Sequence, residues 1–281
     1  MSSFNGLRVL SLESRRSAEL ATLIGKFGGQ PVAAPSLREV PLDSQTDAIV
    51  FVDDVIAGSY DCVIWLTGVG ARSLLAIAAE LSEQERFIAA LSALRVVVRG
   101  PKPLAVMREA GVPVWRTAAE PNTWREVLSA IDGGSSEFKI AGARVAVQEY
   151  GVSNADLLNE LAGRGAQITT VPIYRWELPE DVGPLHDAVD SIIAGHIDVV
   201  LLTSGVQFAH LQKVAATMGK GGPLRTALAR TVIASIGPTC SEEIRRAGLE
   251  PDLEASHPKM GILVTEAAAR AEELRERKGR G

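Results

Sequence analysis

D-V-V-L-L-T-S-G, Asp198 to Gly205, stands a second time in the same chain as D-C-V-I-W-L-T-G, Asp61 to Gly68. Each stretch opens on aspartate, continues through apolar residues and closes on a hydroxyl residue and a glycine. An unbroken apolar run of this length is the pattern of a parallel strand buried on both faces. The hydroxyl residue that follows is a natural helix N-cap. Working outward, R-V-V-V-R-G-P (Arg95 to Pro101) matches T-V-I-A-S-I-G-P (Thr231 to Pro238). Upstream, L-R-V-L-S-L (Leu7 to Leu12) matches A-R-V-A-V-Q (Ala143 to Gln148). Each of these leads into an amphipathic stretch ending in glycine, A-E-L-A-T-L-I-G-K-F-G-G-Q in one copy and A-D-L-L-N-E-L-A-G-R-G-A-Q in the other. A second strand follows in each copy, P-V-A-A-P-S-L-R-E-V-P-L in one and I-T-T-V-P-I-Y-R-W-E-L-P in the other. Matched positions stay about 136 to 138 residues apart along the chain.

Strands alternating with helices predict an α/β protein with two similar parallel-sheet domains, flavodoxin-like or Rossmann-like, and right-handed crossovers. Ligands of such sheets bind outside the carboxyl ends of the strands. The expected ligand zone therefore holds Thr67-Gly68-Val69-Gly70, Arg99-Gly100-Pro101-Lys102, Thr203-Ser204-Gly205-Val206 and Gly237-Pro238-Thr239. Each loop joins a strand to a helix whose first N–H groups can bind anions. Glycine there lets backbone approach closely. Two units with facing loops are expected to form a ligand cleft.

Composition narrows the classes. With 281 residues, 46% hydrophobic and 22% charged, the chain is globular and long enough for two domains. A net charge of −5 without a long basic run speaks against a nucleic-acid partner. No apolar run reaches membrane-spanning length, and Met1 to Gly6 lacks the apolar core of a signal peptide. Cys62 and Cys240 cannot build a disulfide framework and read as buried thiols in a reducing cytoplasm. Glu272 to Gly281, mostly charged, is expected to fray.

Gly68-Val69-Gly70 lacks the third glycine of a dinucleotide loop, since Ser73 stands in its place, and no Walker A pattern occurs. His186, His196, His210 and His257 show no metal-ligand spacing, and no G-x-S-x-G elbow surrounds Ser204. Tyr174, in V-P-I-Y-R-W, admits two readings: an aromatic packed at a domain junction, or a phenol donor at a cleft mouth.

The run I-A-S-I-G-P-T-C-S-E-E-I-R-R-A-G-L-E-P-D (Ile233 to Asp252), with V-V-L-L-T-S-G-V (Val199 to Val206) and V-P-I-Y-R-W, resembles the uroporphyrinogen-III synthase family. The likeness covers nearly the whole chain. Three departures stand out: the first strand ends Ser11-Leu12-Glu13-Ser14-Arg15-Arg16, the first-copy turn is Leu66-Thr67-Gly68-Val69-Gly70 rather than Thr-Ser, and Cys240 follows Thr239 where the family has a second threonine.

The resemblance implies a topology in which the repeats do not fold as consecutive domains. Domain one would be 1–36 with 180–281, domain two 42–171, and the linkers 37–41 and 172–179. It implies a carbon–oxygen lyase of tetrapyrrole biosynthesis that closes hydroxymethylbilane with inversion of ring D, using no metal or organic cofactor. The enzyme would be a cytoplasmic monomer receiving substrate from hydroxymethylbilane synthase. Tyr174 would help the substrate hydroxyl leave. Thr67, Gly68, Val69, Gly100, Pro101, Lys102, Thr203, Ser204, Gly205, Gly237, Pro238 and Thr239 would bind substrate. A binding-only relative and a nucleotide-dependent enzyme are the competing expectations.

Overall fold

Every strand of one copy of the repeat has a partner in the other, and each copy supplies strands to both sheets. In the computed structural model, which describes residues 2–41, 45–149, 151 and 153–279, the first copy runs β1 (Arg8–Ser11), α1 (Ser17–Lys26), β2 (Gln30–Ala33), β3 (Arg38–Pro41), α2 (Thr46–Ile56), β4 (Cys62–Trp65), α3 (Gly68–Glu80), α4 (Gln84–Ala93), β5 (Arg95–Val98), α5 (Pro101–Glu109), β6 (Arg116–Thr117) and α6 (Trp124–Asp132). The second runs β7 (Arg144–Gln148), α7 (Ala155–Gly163), β8 (Gln167–Val171), β9 (Tyr174–Glu177), α8 (Gly183–Ile193), β10 (Val199–Leu202), α9 (Gly205–Thr217), α10 (Gly221–Leu228), β11 (Val232–Ser235), α11 (Pro238–Arg246), β12 (Leu253–Glu254) and α12 (Met260–Gly279).

One parallel sheet has the order β12-β11-β10-β1-β2 and the other β6-β5-β4-β7-β8. Replacing each strand by its repeat partner turns one order into the other. The strand read as continuous after each first helix is broken instead. β2 ends at Ala33 and β8 at Val171, with Pro35 and Pro172 just beyond; both are edge strands, and β2 carries Pro31 within it. β3 and β9 then pair as a two-stranded sheet of their own.

The chain divides into two compact units, Met1–Arg38 with Glu177–Gly281, and Glu39–Trp176. The expected domain start at Leu42 lies outside the described residues. Unit one carries two cores, one per face of its sheet. Leu10, Val200, Leu202 and Ile233 pack under α8 to α11 through residues such as Val189, Phe208 and Leu211. Val9, Val199, Leu201 and Val232 pack on the other face against α1 and α12 through Leu20, Ile24, Leu263 and Ala267. Unit two repeats this, with Val63, Trp65 and Val96 under α2 to α5 and Ile64, Val97 and Val145 under α6 and α7. Strand alternation decides which face each residue serves, which is why both faces need apolar residues.

At the amino edges, Asp61 accepts from the Arg144 N–H at 2.8 Å and Asp198 from the Arg8 N–H at 2.8 Å. These matched aspartates clamp the same strand pair in each unit, β4 with β7 and β10 with β1. The expected fraying from Glu272 is corrected: α12 stays helical to Gly279. Leu274 is buried, and Lys278 meets Asp252 at 2.7 Å and donates to the Thr231 carbonyl at 2.6 Å. Arg280 and Gly281 lie outside the described residues. Among the described residues no helix is long and apolar enough to cross a membrane.

Candidate functional site

The strand order reverses between β1 and β10 in unit one and between β7 and β4 in unit two. Such a switch point opens a crevice at the carboxyl edge of an α/β sheet. The predicted loops lie along these edges. Thr67 caps α3, its hydroxyl accepting from the Gly70 N–H at 3.0 Å, and Ser204 caps α9, accepting from the Val206 N–H at 3.3 Å. Gly100 and Gly237 stand at the cap positions of α5 and α11 without a side-chain cap bond. Pro101 and Pro238 follow them, where the missing N–H costs no helical bond. Lys102 and Thr239 are exposed, and so is the Val69 side chain, at 44%.

Within each unit the neighbouring loops come together. A Cβ at Gly68 would lie 3.0 Å from the backbone of Lys102, and one at Gly205 3.0 Å from Cβ of Glu243 and 3.5 Å from the Thr239 carbonyl oxygen. These glycines therefore let α3 pack on α5 and α9 on α11. The close approach they permit is between helices.

Three polar residues outside the predicted site, Gln148, Gln207 and Glu13, organise the switch points. Gln148, the last residue of β7, is fully buried. Its Oε1 accepts from the Thr67 N–H at 3.0 Å and the Thr67 hydroxyl at 3.2 Å. In unit one, Gln207 of α9 is 1% exposed. Its Oε1 accepts from the Thr203 N–H at 2.9 Å, and its Nε2 donates to the Thr203 hydroxyl at 2.7 Å and to Glu13 at 3.2 Å. The Glu13 carboxylate also accepts from the Thr203 hydroxyl and, at 3.1 and 3.2 Å, from the N–H groups of Arg15 and Arg16. One signal was available in the repeat alignment: Gln148 stands opposite Ser11, and Gln207 opposite Gly70.

Tyr174 opens β9 and is 8% exposed, its ring edge-on to Trp176 with centroids 5.6 Å apart. The Trp176 ring in turn fills the space a side chain at Gly151 would need. Burial pushes the Cys240 thiol up to about 12, so it stays protonated and is a poor nucleophile. His210 is spent on the Ser36 carbonyl, 2.6 Å from its Nδ1. Among the described residues no group of three or more His, Cys, Asp or Glu stands where it could hold a metal ion. The edges thus offer backbone N–H groups, hydroxyls and an exposed lysine, a donor set suited to carboxylates.

A family described as "Uroporphyrinogen-III synthase HemD" matches residues 18–265. The Bacillus subtilis protein YjjA, itself uncharacterised, is 25% identical over 272 residues, which span 95% of this chain and 97% of that protein. A Methanothermobacter thermautotrophicus protein provisionally named uroporphyrinogen-III synthase is 29% identical over 236 residues, 83% of this chain and 87% of that one. The crystal structure of a mutant uroporphyrinogen III synthase from the extremely thermophilic bacterium Thermus thermophilus superposes with a TM-score of 0.72 at 22% identity, covering 95% of this chain and 99% of that chain, and shares the fold.

Proposed function

The chain belongs to the uroporphyrinogen-III synthase family, and from that premise we propose that it converts hydroxymethylbilane to uroporphyrinogen III. The observation that carries the reading is the family match over residues 18–265, joined to donor-rich loops at the carboxyl edge of each sheet. A linear tetrapyrrole with eight carboxylates needs many weak donors. Thr67, Gly68 and Val69, Gly100 to Lys102, Thr203 to Gly205 and Gly237 to Thr239 are the residues we assign to its binding.

The reaction starts when the substrate hydroxyl leaves with a proton as water, giving an azafulvene. Tyr174 is the assigned donor to that hydroxyl. Attack by the substituted carbon of ring D then forms a spiro intermediate, which reopens and closes on the other carbon with loss of a proton. The chain's contribution to these later steps is to hold the conformation and exclude the uncatalysed closure.

Incubation with freshly made hydroxymethylbilane, followed by separation of the isomers, is the test. Isomer III is expected, and isomer I alone at the spontaneous rate overturns the assignment. Tyr174→Phe is expected to slow turnover about a hundredfold, at the low end of general acid catalysis. An unchanged rate removes the acid role while leaving the enzyme standing.

Glu13 favours a second reading, a relative that binds a tetrapyrrole without turnover. Its carboxylate already occupies the donors at the unit-one switch point. Calorimetric binding of hydroxymethylbilane with no isomer conversion would establish that reading instead.

A further inference from the structure

Each copy buries a glutamine amide at its switch point, by opposite means. The strand end carries serine in unit one (Ser11) and glutamine in unit two (Gln148). The third residue of the facing helix carries glutamine in unit one (Gln207) and glycine in unit two (Gly70). Each unit thus has one glutamine and one small residue, exchanged between strand and helix. There is room for only one amide, since any Cβ on Gly70 would strike that of Gln148. Ser11, the small partner in unit one, keeps a buried hydroxyl without a hydrogen bond.

Burying an amide is costly unless its donors and acceptors are matched, and an apolar side chain would fill the space without that cost. Both units keep the amide, and in both its Oε1 accepts the N–H of a residue just past the strand, Thr67 or Thr203. That bond fixes how the strand turns into the helix. The caps occupy the N–H groups of Gly70 and Val206. Among the described residues, the first-turn N–H groups of Gly68, Val69 and Gly205 have no internal acceptor. These are the donors left for a ligand.

We infer that Gln148 and Gln207 are positioning residues, whose buried amides aim the α3 and α9 turns at an anionic substrate. The inference rests on the proposed activity for its substrate but not for its geometry. Gln148→Met keeps the volume and removes the acceptor. It should raise KM for hydroxymethylbilane about tenfold, the equivalent of one hydrogen bond, with kcat little changed. Amide exchange at Thr67 should accelerate, measured at a pH and temperature where the variant stays folded.

The double variant Gln148→Ser with Gly70→Gln copies unit one into unit two. It should restore KM and move the exchange protection from Thr67 to Leu66, the residue opposite Thr203 in the repeat. A wild-type KM and wild-type Thr67 exchange in Gln148→Met overturn the inference. So does a double variant that melts like the wild type yet recovers neither KM nor protection. If the wild type makes only isomer I, the proposed activity falls, and the exchange measurements still decide the positioning role.

Discussion

Asp61 holds its strand pair through charge as well as geometry, and this makes its contribution dependent on pH. The Arg144 guanidinium, followed by the Arg144 N–H, keeps its carboxyl below the usual carboxylate range. A carboxyl lowered by folding stabilises above its unfolded pKa, and the contribution disappears as pH falls through the folded value. Asp61→Asn should therefore melt below the wild type at pH 7, and the two melting curves should converge below about pH 4. A gap that persists at pH 2 would show that the aspartate acts by shape alone. The two thiols give a second test at this scale. Burial pushes both Cys62 and Cys240 up to about 12. Native protein at pH 8 should resist a thiol-specific disulfide reagent, and guanidinium should release both sites; rapid native labelling would contradict their burial. The site residues were only partly legible. The hydroxyl caps followed from residue type, because Thr67 and Ser204 do the same local work in any chain. Gln148 and Gln207 did not, because a glutamine at a strand end or in a helix gives no sign of the far-off N–H it will meet.

Helix α12 shows how a local reading fails when a tertiary contact intervenes. Its last turns look like solvated charge, and nothing near them in sequence opposes fraying. Lys278, however, has a side chain only 15% exposed, facing Asp252 at 16%, and Asp252 also accepts from the Ile233 N–H at 2.7 Å. The pair ties the helix end to β11 across more than one element. Lys278→Met should cost about 2 kcal/mol, since the lost bonds involve charged groups in partly buried places. At roughly 2–4 °C per kcal/mol the melting temperature should fall by several degrees. Amide exchange should then be faster from Glu272 onward, and unchanged exchange there would mean that Leu274 packing suffices. Elements with continuous apolar runs, such as β4 and β10, were readable because burial on both faces leaves no alternative composition. The break after β2 was harder to place, since an edge strand tolerates proline, as β2 does at Pro31, and Pro35 therefore does not mark where the strand ends.

At the scale of the molecule, unit two is one continuous stretch and unit one is made of two pieces. Residues 39–176 contain a whole sheet and both cores beside it. Expressed alone, they should melt cooperatively, by circular dichroism, as a folded protein. Residues 177–281 lack β1 and β2, so one edge of β10 is left unpaired. They should stay unfolded until a peptide of residues 1–38 is added. Cooperative melting of 177–281 without the peptide would show that three strands suffice. The repeat revealed the two sheets but did not reveal how strands are shared between them, because sequence similarity is blind to which copy a strand joins. The sharing also sets a timetable for synthesis. At roughly 5–20 residues per second, a chain that has just made β1 waits on the order of ten seconds or more for β10 to be translated. During that interval unit two can close around its own strands, while the nascent β1 presents a bare apolar edge to whatever lies near the ribosome exit. A strand made early is thus among the last to reach its native place, and it needs shelter until then.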